Sequence, residues 1–489
     1  MKNLTLVPLL ALLLVSCGIT KRDFEVNSKN TIQDNFLTEV TQDTVFAKSQ
    51  SAIVTEWWSE FNDPILDTLI QKARTHNLDI TAAVANFYAS RAALKGTKLD
   101  RLPTVTANGN VTRTRLGENI FVPGANPTFT TYSGSFDAFW ETDVFGRVSN
   151  RIRGAYANQQ SALADLQGVF VRIFAEVASN YVAFRGTQYQ LDIAQRNLKG
   201  QQATYDLTVR LKDAGTSNSL DVSRALAQLE NTRATIPPLK ARMEALKNSI
   251  SVLIGEVPGN LEEGIVNQKP LPSLPNSIAI GDVTNLLRRR PDVRQAEAQL
   301  QQQIAQYNLA VAELYPNIQF GGSLGFSAVD FSNFGSNNSF TWTVIPTISW
   351  AAFNLGRVKQ QIHQKDALAL AALQQYEKAV LEAFEEISTA MTNYTNELER
   401  RETLRKSALA SAKAATIARQ RYNAGLDSFI DYLSADNTLL VAENSLATSE
   451  IAAATSLIAI YKALGGGWEI IAEEEIDGQF KKMKRVASK

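Results

Sequence analysis

The side chains most often used for chemistry are scarce in this chain of 489 residues. There is one cysteine, Cys17, and there are two histidines, His76 and His363. A single cysteine excludes a disulfide within the chain, and two histidines disfavour a multi-histidine metal centre and most general-base schemes. No phosphate-binding loop or nucleophile constellation occurs either. We therefore predict that the protein is not an enzyme and needs no metal or other cofactor.

Cys17 is the one residue whose position predicts a modification. Lys2 is followed by an apolar stretch from Leu4 to Val15 and then by the cysteine, which is typical of a secretory signal too short to span a membrane. The placement resembles the lipobox of bacterial lipoproteins, in which the cysteine is diacylated before cleavage frees its amino end. A plain signal peptide with an incidental cysteine is the alternative. If Cys17 carries lipid, it anchors the chain to a membrane without spanning it.

Composition and charge exclude further classes of protein. The chain has 49 basic and 49 acidic side chains, so it lacks the basic excess of a protein that coats nucleic acid. No run of eighteen apolar residues occurs, so we expect no membrane-spanning helix. Composition alone predicts a soluble globular protein of about three domains.

An internal repeat changes that interpretation. Four residues recur at an offset of 210: Gly146 and Gly356, Gly215 and Gly425, Asp221 and Asp431, and Gly255 and Gly465. Upstream, Asp79 and Pro103 recur at an offset of 213, as Asp292 and Pro316. Because a helix cannot gain or lose one residue without turning its apolar face by about 100°, constant spacing predicts long helices.

The segment whose length differs between the halves alternates like a β-hairpin. The apolar positions are Val105, Ala107, Gly109 and Val111; Tyr132, Gly134, Phe136, Ala138 and Trp140; Ile318, Phe320, Gly322, Leu324 and Phe326; and Phe340, Trp342, Val344, Pro346, Ile348 and Trp350. Alternation with aromatic residues near the ends fits transmembrane strands, although a soluble sheet with one wet face is the commoner source. Four strands are too few to close a membrane barrel, so several chains would have to share one.

Residues 148–212 lack proline and carry apolar residues in steps of seven. One seam comprises Leu163, Phe170, Val177, Phe184, Leu191, Leu198 and Tyr205, and a mixed seam comprises Leu166, Ile173, Asn180, Thr187 and Ala194. This pattern predicts coiled-coil packing in a rod of roughly 100 Å. The predicted segments are a signal peptide at 1–16; a lipidated extended segment at 17–55; a first repeat at 56–255 with a hairpin at 104–142 and long helices at 147–254; a Pro-rich strap at 256–282; a second repeat at 283–468 with a hairpin at 317–352 and long helices at 357–464; and a charged, disordered tail at 469–489.

Five motifs carry a resemblance to a known family. They are Trp57-Trp58 followed by Phe61-Asn62-Asp63-Pro64; Trp140-Glu141-Thr142-Asp143-Val144-Phe145-Gly146-Arg147; Arg289-Arg290-Pro291-Asp292-Val293; Leu314-Tyr315-Pro316; and Tyr422-Asn423-Ala424-Gly425. Nearly the whole mature chain resembles outer-membrane efflux factors of the TolC type, in the lipoprotein branch that serves resistance-nodulation-division pumps. The resemblance implies an α+β membrane protein: a homotrimer whose chains each lend four strands to one β-barrel, continued by a periplasmic helical barrel.

The resemblance also assigns roles to the turns that end the long helices. It implies that Gly215-Thr216 and Gly425-Leu426 contact a periplasmic adaptor protein, that Asp221 and Asp431 line the pore constriction, and that Tyr422 locks the tip. Taken without the resemblance, the glycines are ordinary helix C-caps and the aspartates are helix-start residues. Some family members have a basic residue two positions after the second glycine and an acid nine after it. This chain has Asp427 and Ser434 there, so the resemblance carries no latch through an arginine at 427.

The function implied is a passive exit duct for small molecules in the cell outer membrane. Its partners would be the adaptor, an inner-membrane resistance-nodulation-division transporter and outer-membrane lipid, with no nucleic acid. Two alternatives stay open from the sequence: the outer-membrane component of a type I protein or peptide secretion system, and a lipid-anchored coiled-coil scaffold without a pore.

Overall fold

The computed structural model describes residues 46–48, 55–117, 127–275, 278–280 and 289–487. The predicted signal peptide, Cys17 and most of the segment 17–55 lie outside these residues. The strands are β1 (Phe46–Lys48), β2 (Thr104–Arg115), β3 (Thr128–Glu141), β4 (Ile278–Ile280), β5 (Asn317–Ala328) and β6 (Phe340–Ser349). The helices are α1 (Pro64–His76), α2 (Leu78–Leu99), α3 (Arg147–Asp213), α4 (Ser219–Leu253), α5 (Glu263–Val266), α6 (Pro291–Ala312), α7 (Leu355–Asn423), α8 (Phe429–Ala463) and α9 (Glu473–Ala487).

The described chain forms two compact units. The sheet unit contains residues 88–162 and 296–377, and the helical unit contains the rest of the described residues from 46 onward. Among the described helices, none is both long enough and apolar enough to cross a membrane.

A four-stranded antiparallel sheet, in the order β2-β3-β5-β6, dominates the sheet unit. The register places Ala107 opposite Phe136, Phe136 opposite Leu324 and Leu324 opposite Trp342. Because residues directly opposite each other share a face, the predicted apolar positions of all four strands fall on one face of the sheet. The prediction of four alternating strands is confirmed, and β2 and β6 are the sheet's edges.

Equivalent side chains pack together the two helices that flank each hairpin. One buried cluster is Leu94, Val148 and Ile152, and another contains Tyr307, Val358 and Ile362, which are the same positions of the second repeat. Two tryptophans at the strand ends donate their indole N–H groups to backbone carbonyls, Trp140 to Arg101 (3.0 Å) and Trp350 to Leu314 (2.9 Å). Trp140 is still 38% exposed, so it can pack locally and meet a membrane boundary.

The long helices are continuous over 67 residues in α3 and 69 residues in α7. In α3, Leu166, Ile173, Thr187 and Ala194 of the mixed seam are buried, together with Phe170, Val177 and Phe184 of the apolar seam. α4 differs from α8, its equivalent in the second repeat, in containing Pro237 and Pro238 within its span.

The strap and the tail both have secondary structure. The strap contains α5 and β4, and β4 pairs in parallel with β1. The expectation of a disordered tail is wrong for 473–487, which form α9. Two polar residues of α9 contact α1: Glu475 pairs with Arg74, and Gln479 donates to the Arg74 carbonyl (3.2 Å). Ile476 between them is buried.

Candidate functional site

The candidate site lies in the helical unit, at the two turns that end α3 and α7. In the first turn, the Gly215 N–H donates to the Lys212 carbonyl (2.8 Å) and Thr216 to Leu211 (2.9 Å). In the second turn, Gly425 donates to Tyr422 (2.9 Å) and Leu426 to Arg421 (2.9 Å). Both glycines are left-handed, with φ of 76° and 73°, a conformation that costs a side-chain-bearing residue energy.

Both predicted pore aspartates take part in the helix starts. The Asp221 N–H donates to Asn218 Oδ1 (2.9 Å), and the Asp221 carboxylate lies 3.7 Å from the Arg224 guanidinium. Asp431 forms a reciprocal capping box, in which the Ser428 N–H donates to Asp431 Oδ2 (3.3 Å) and the Asp431 N–H donates to Ser428 Oγ (3.3 Å). Ser428 Oγ also donates to Asp431 Oδ2 (2.6 Å). The helix-start interpretation therefore describes contacts that exist within one chain.

The two turns share a groove of about 690 Å³. Of the residues singled out from the sequence, Thr216, Asp221, Tyr422 and Gly425 line it, whereas Gly215, Leu426 and Asp431 do not. Leu426 is 68% exposed, and the Gly215 and Asp431 residues are exposed as well. The structure thus brings the two turns together, with four of the seven predicted residues lining the groove and the other three outside it.

An aromatic cluster packs the second turn. Tyr422 stacks on Tyr432 with ring centroids 5.7 Å apart, and Phe429 contacts both rings. The Tyr432 hydroxyl lies 2.9 Å from Thr204 Oγ1 on α3, and burial raises the pKa of Tyr432. Sequence reasoning selected Tyr422 and missed Phe429 and Tyr432. Their signal was spacing, since they stand four and seven residues beyond Gly425, on the side of α8 that is buried.

An exposed ion pair closes the same turn. The Arg421 guanidinium donates to both carboxylate oxygens of Asp427, at 2.6 and 2.8 Å. The hydrogen bond from Arg421 lowers the pKa of Asp427, and the same contact raises the pKa of Arg421. Asp427 therefore serves as the acidic member of a pair whose base lies before the glycine.

Polar contacts continue along α3 and α8 away from the turns. Gln201 donates to Asp436 (3.3 Å), Asn197 to Glu443 (3.1 Å) and Gln190 to Thr448 (3.2 Å). Burial raises the pKa of Asp436, with Arg419 of α7 opposing the shift and Glu443 adding to it. The contact then becomes apolar and close, because a Cβ built on Gly186 would lie 2.1 Å from Ile451 Cγ1. The α3–α8 seam is therefore polar near the turns and tightly packed farther from them.

The described residues contain no group of three or more histidine, cysteine or acidic side chains placed to hold a metal ion. The groove is lined instead by hydroxyl, amide, carboxylate and guanidinium groups with a few aliphatic and aromatic side chains. Such a lining can form hydrogen bonds and ion pairs with a protein surface.

Comparison with known proteins gives consistent matches over most of the chain. A family model described as outer membrane efflux protein matches residues 69–256 and 283–466. The antibiotic efflux pump outer membrane protein ArpC of Pseudomonas putida is 28% identical, covering 87% of this chain and 89% of its own. Nodulation protein T of Rhizobium leguminosarum bv. trifolii is 26% identical, covering 86% and 89%.

Solved structures agree with those matches. The outer-membrane channel OprN is 36% identical with a TM-score of 0.82, covering 88% of this chain and 96% of its own. The open state of the Neisseria gonorrhoeae MtrE outer membrane channel is 26% identical with a TM-score of 0.77, covering 87% and 95%.

Proposed function

We propose a gating role for the two turns, proceeding from the premise that this chain belongs to the outer membrane efflux protein family. The protein is the outer-membrane channel of an efflux pump, as its sequence predicted, and its location in the outer membrane with extension into the periplasm is confirmed. What remains to be assigned is how many chains form the duct and which residues close it.

Three chains complete the duct in this proposal. The sheet has four strands, one apolar face and two edges, β2 and β6, that pair with no other described strand. Since membrane barrels need at least eight strands and no free edge, neighbouring copies must join β6 to β2. Three copies give a twelve-stranded barrel with the apolar faces toward lipid, and the long helices of the three copies enclose the periplasmic part of the duct.

The turns form the closing end. The observation that carries this assignment is that the two turns open into one shared groove while Leu426 stays exposed beside it. We assign adaptor contact to Gly215, Thr216, Gly425 and Leu426, because exposed backbone and an exposed apolar side chain at a helix end suit a partner's helical tip. Tyr422 locks the second turn through its stacking on Tyr432.

Asp221 and Asp431 line the constriction in the assembled ring. Threefold symmetry turns each aspartate into a ring of three carboxylates, which favours cations and disfavours anions. The hydrogen bonds that both carboxylates accept within one chain, from Ser217 Oγ at Asp221 and from Ser428 at Asp431, are compatible with this, because a carboxylate has acceptor sites left over after two hydrogen bonds.

The partners and cargo follow from the chemistry of such a duct. The sequence has no phosphate-binding loop to draw energy from a nucleotide, so we assign an inner-membrane transporter of the resistance-nodulation-division class and a periplasmic adaptor as partners. Relatives are named for antibiotic and toluene efflux, which supports small molecules as cargo. We assign diacylation and membrane anchoring to Cys17.

Ion selectivity tests the ring directly. The double variant Asp221→Asn and Asp431→Asn keeps a side-chain oxygen acceptor at each position and removes the charge. In planar bilayers we expect the cation-to-anion permeability ratio to fall and the resting conductance to rise. Asp213→Asn is the matched control, since Asp213 is an exposed acid at the end of α3. An equal change in selectivity for Asp213→Asn would place the effect in general surface charge and refute the ring.

A further inference from the structure

The loop between β5 and β6, residues 329–339, folds back on the sheet through aromatic contacts. Phe331 stacks on Phe334 with centroids 6.2 Å apart, and Phe331 also meets the Tyr132 ring edge-on at 5.4 Å. Phe334 meets Phe326 edge-on at 6.1 Å. We call Tyr132, Phe326, Phe331 and Phe334 the aromatic patch. Phe331 is 69% exposed, so the patch is also an open surface.

The aromatic patch lies on the apolar face of the sheet. Tyr132 and Gly134 belong to β3 on that face, and Phe326 is directly opposite Gly134. A Cβ built on Gly134 would lie 3.0 Å from Phe334 Cζ, so the Phe334 ring occupies the space that a side chain at position 134 would fill. The loop therefore covers the face that the proposed function turns toward lipid.

Two arginines continue the same face of the neighbouring strand. β2 alternates without a bulge, so Arg113 and Arg115 share the face of Val105, Ala107 and Val111. Arg113 stands opposite Thr130 and is a diagonal neighbour of Tyr132, at about 7–8 Å between backbone positions. Both guanidiniums belong to exposed residues, and in the described part of the chain neither forms an ion pair.

No carboxylate of the four strands shares this face with the arginines. The four strands contain two acids, Asp137 and Glu141, and both fall on the polar face. The arginines are also the tenth and twelfth residues of β2. Because a membrane-spanning strand needs about 9–11 residues, these positions reach the boundary where phosphate groups of lipids lie.

We propose that Arg113 and Arg115 bind the phosphate groups of phosphorylated outer-leaflet lipids, with the aromatic patch packing beside the lipid's acyl boundary. The inference rests on the proposed function, in which the apolar face meets lipid. A guanidinium suits phosphate because its planar donors can form two parallel hydrogen bonds, and aromatic rings favour the membrane boundary. A neighbouring copy would leave these side chains outside the barrel, since strand pairing uses backbone groups in the plane of the sheet.

Lipid retention provides the test. The full-length protein is reconstituted in phosphatidylcholine nanodiscs doped with lipid A, and retained lipid A is counted by native mass spectrometry. We expect the double variant Arg113→Gln and Arg115→Gln to bind lipid A about tenfold more weakly, in line with the loss of a charge-assisted hydrogen bond. The double variant Thr112→Gln and Thr114→Gln is the control, because it alters the same strand on its polar face.

Further arms separate the possible causes. Dephosphorylated lipid A should bind the wild type and the arginine variant alike, whereas Phe331→Ser with Phe334→Ser should weaken both forms of lipid A. Equal retention by the arginine variant, or displacement of lipid A by excess inorganic phosphate, would overturn the lipid site. Single-channel conductance is recorded on the same samples. If the wild type showed no conductance, the proposed channel would be refuted. If the wild type conducted but bound phosphorylated and dephosphorylated lipid A equally, this inference alone would be refuted.

Discussion

The two turns of the helical unit share a backbone and differ in what holds it. Each has a left-handed glycine, two reverse-turn hydrogen bonds and an aspartate six residues later in the first turn of the next helix. The second turn adds stacked Tyr422 and Tyr432 and the Arg421–Asp427 pair. At the equivalent positions the first turn has Lys212, Val222, Leu211 and Ser217.

This difference indicates that the shape of the turns and their stability depend on different residues. The repeated glycines and aspartates set the shape of the turn, so both copies must keep them. The side chains around them differ between the two turns, and the aromatic packing and the ion pair occur in the second turn. The second turn is therefore the one fastened to α3, through the Tyr432–Thr204 contact, and the one whose release changes the most contacts.

Removing the buried Tyr432 ring should have the largest effect on the difference in stability between the two turns. Tyr432 is 5% exposed, and we expect Tyr432→Ala to destabilise the start of α8 locally by about 3 kcal/mol, because truncating a large buried side chain leaves a cavity. Hydrogen exchange of residues 429–436 should accelerate and the resting conductance should rise. Val222→Ala, at the equivalent position of the first turn, should accelerate exchange at 219–226 far less.

The conservative variant sharpens the interpretation. Tyr432→Phe keeps the stacking on Tyr422 and loses the contact with Thr204, for which we expect about 1 kcal/mol. Similar exchange rates in Tyr432→Ala and Val222→Ala would show that the aromatic cluster does not distinguish the turns.

The glycines should respond alike. Gly215→Ala and Gly425→Ala each place a side chain at φ above 70°, and a Cβ at either position meets no atom within 4 Å. The cost is therefore that of the backbone alone, about 1–2 kcal/mol at each turn. Thermal unfolding midpoints of the two variants should agree closely, and a clear difference between them would show that the turns are not equivalent even in their backbone.

The positions of these elements could be predicted from the sequence better than the contacts between them. The offset of 210 located both turns, and alternation located all four strands, because helix phase and strand pleat leave direct marks on residue order. Phe429 and Tyr432 were missed since their partners, Tyr422 and Thr204, come from other helices. α9 was misjudged because its charges outweigh its apolar residues, whereas the burial of Ile476 and the pairing of Glu475 with Arg74 of α1 hold it in place.

The smallest expected effect concerns Asp436, which stands where the first repeat has Leu226. Burial raises the pKa of Asp436 above its ordinary value of 3.8, so the folded seam favours the protonated carboxyl. The contribution of Asp436 to the stability of the α3–α8 seam is therefore greatest below pH 3.8. It is lost as the pH rises toward and through the raised pKa that Asp436 has in the folded protein. The groups facing Asp436 are Gln201 on α3, Arg419 on α7 and Glu443 on α8.

Asp436→Asn removes the titration and keeps an oxygen to accept the hydrogen bond from Gln201. We expect wild-type resting conductance to fall on acidification from neutral pH, and the conductance of Asp436→Asn to stay low across that range. Leu226→Asp is the control, because Leu226 is 41% exposed and an acid there would stay hydrated at all these pH values. If Asp436→Asn kept the full pH dependence, Asp436 would not be the group responsible for it. The asymmetry of the two repeats would then reside in their turns alone, since the seam between α3 and α8 would make no pH-dependent contribution to closure.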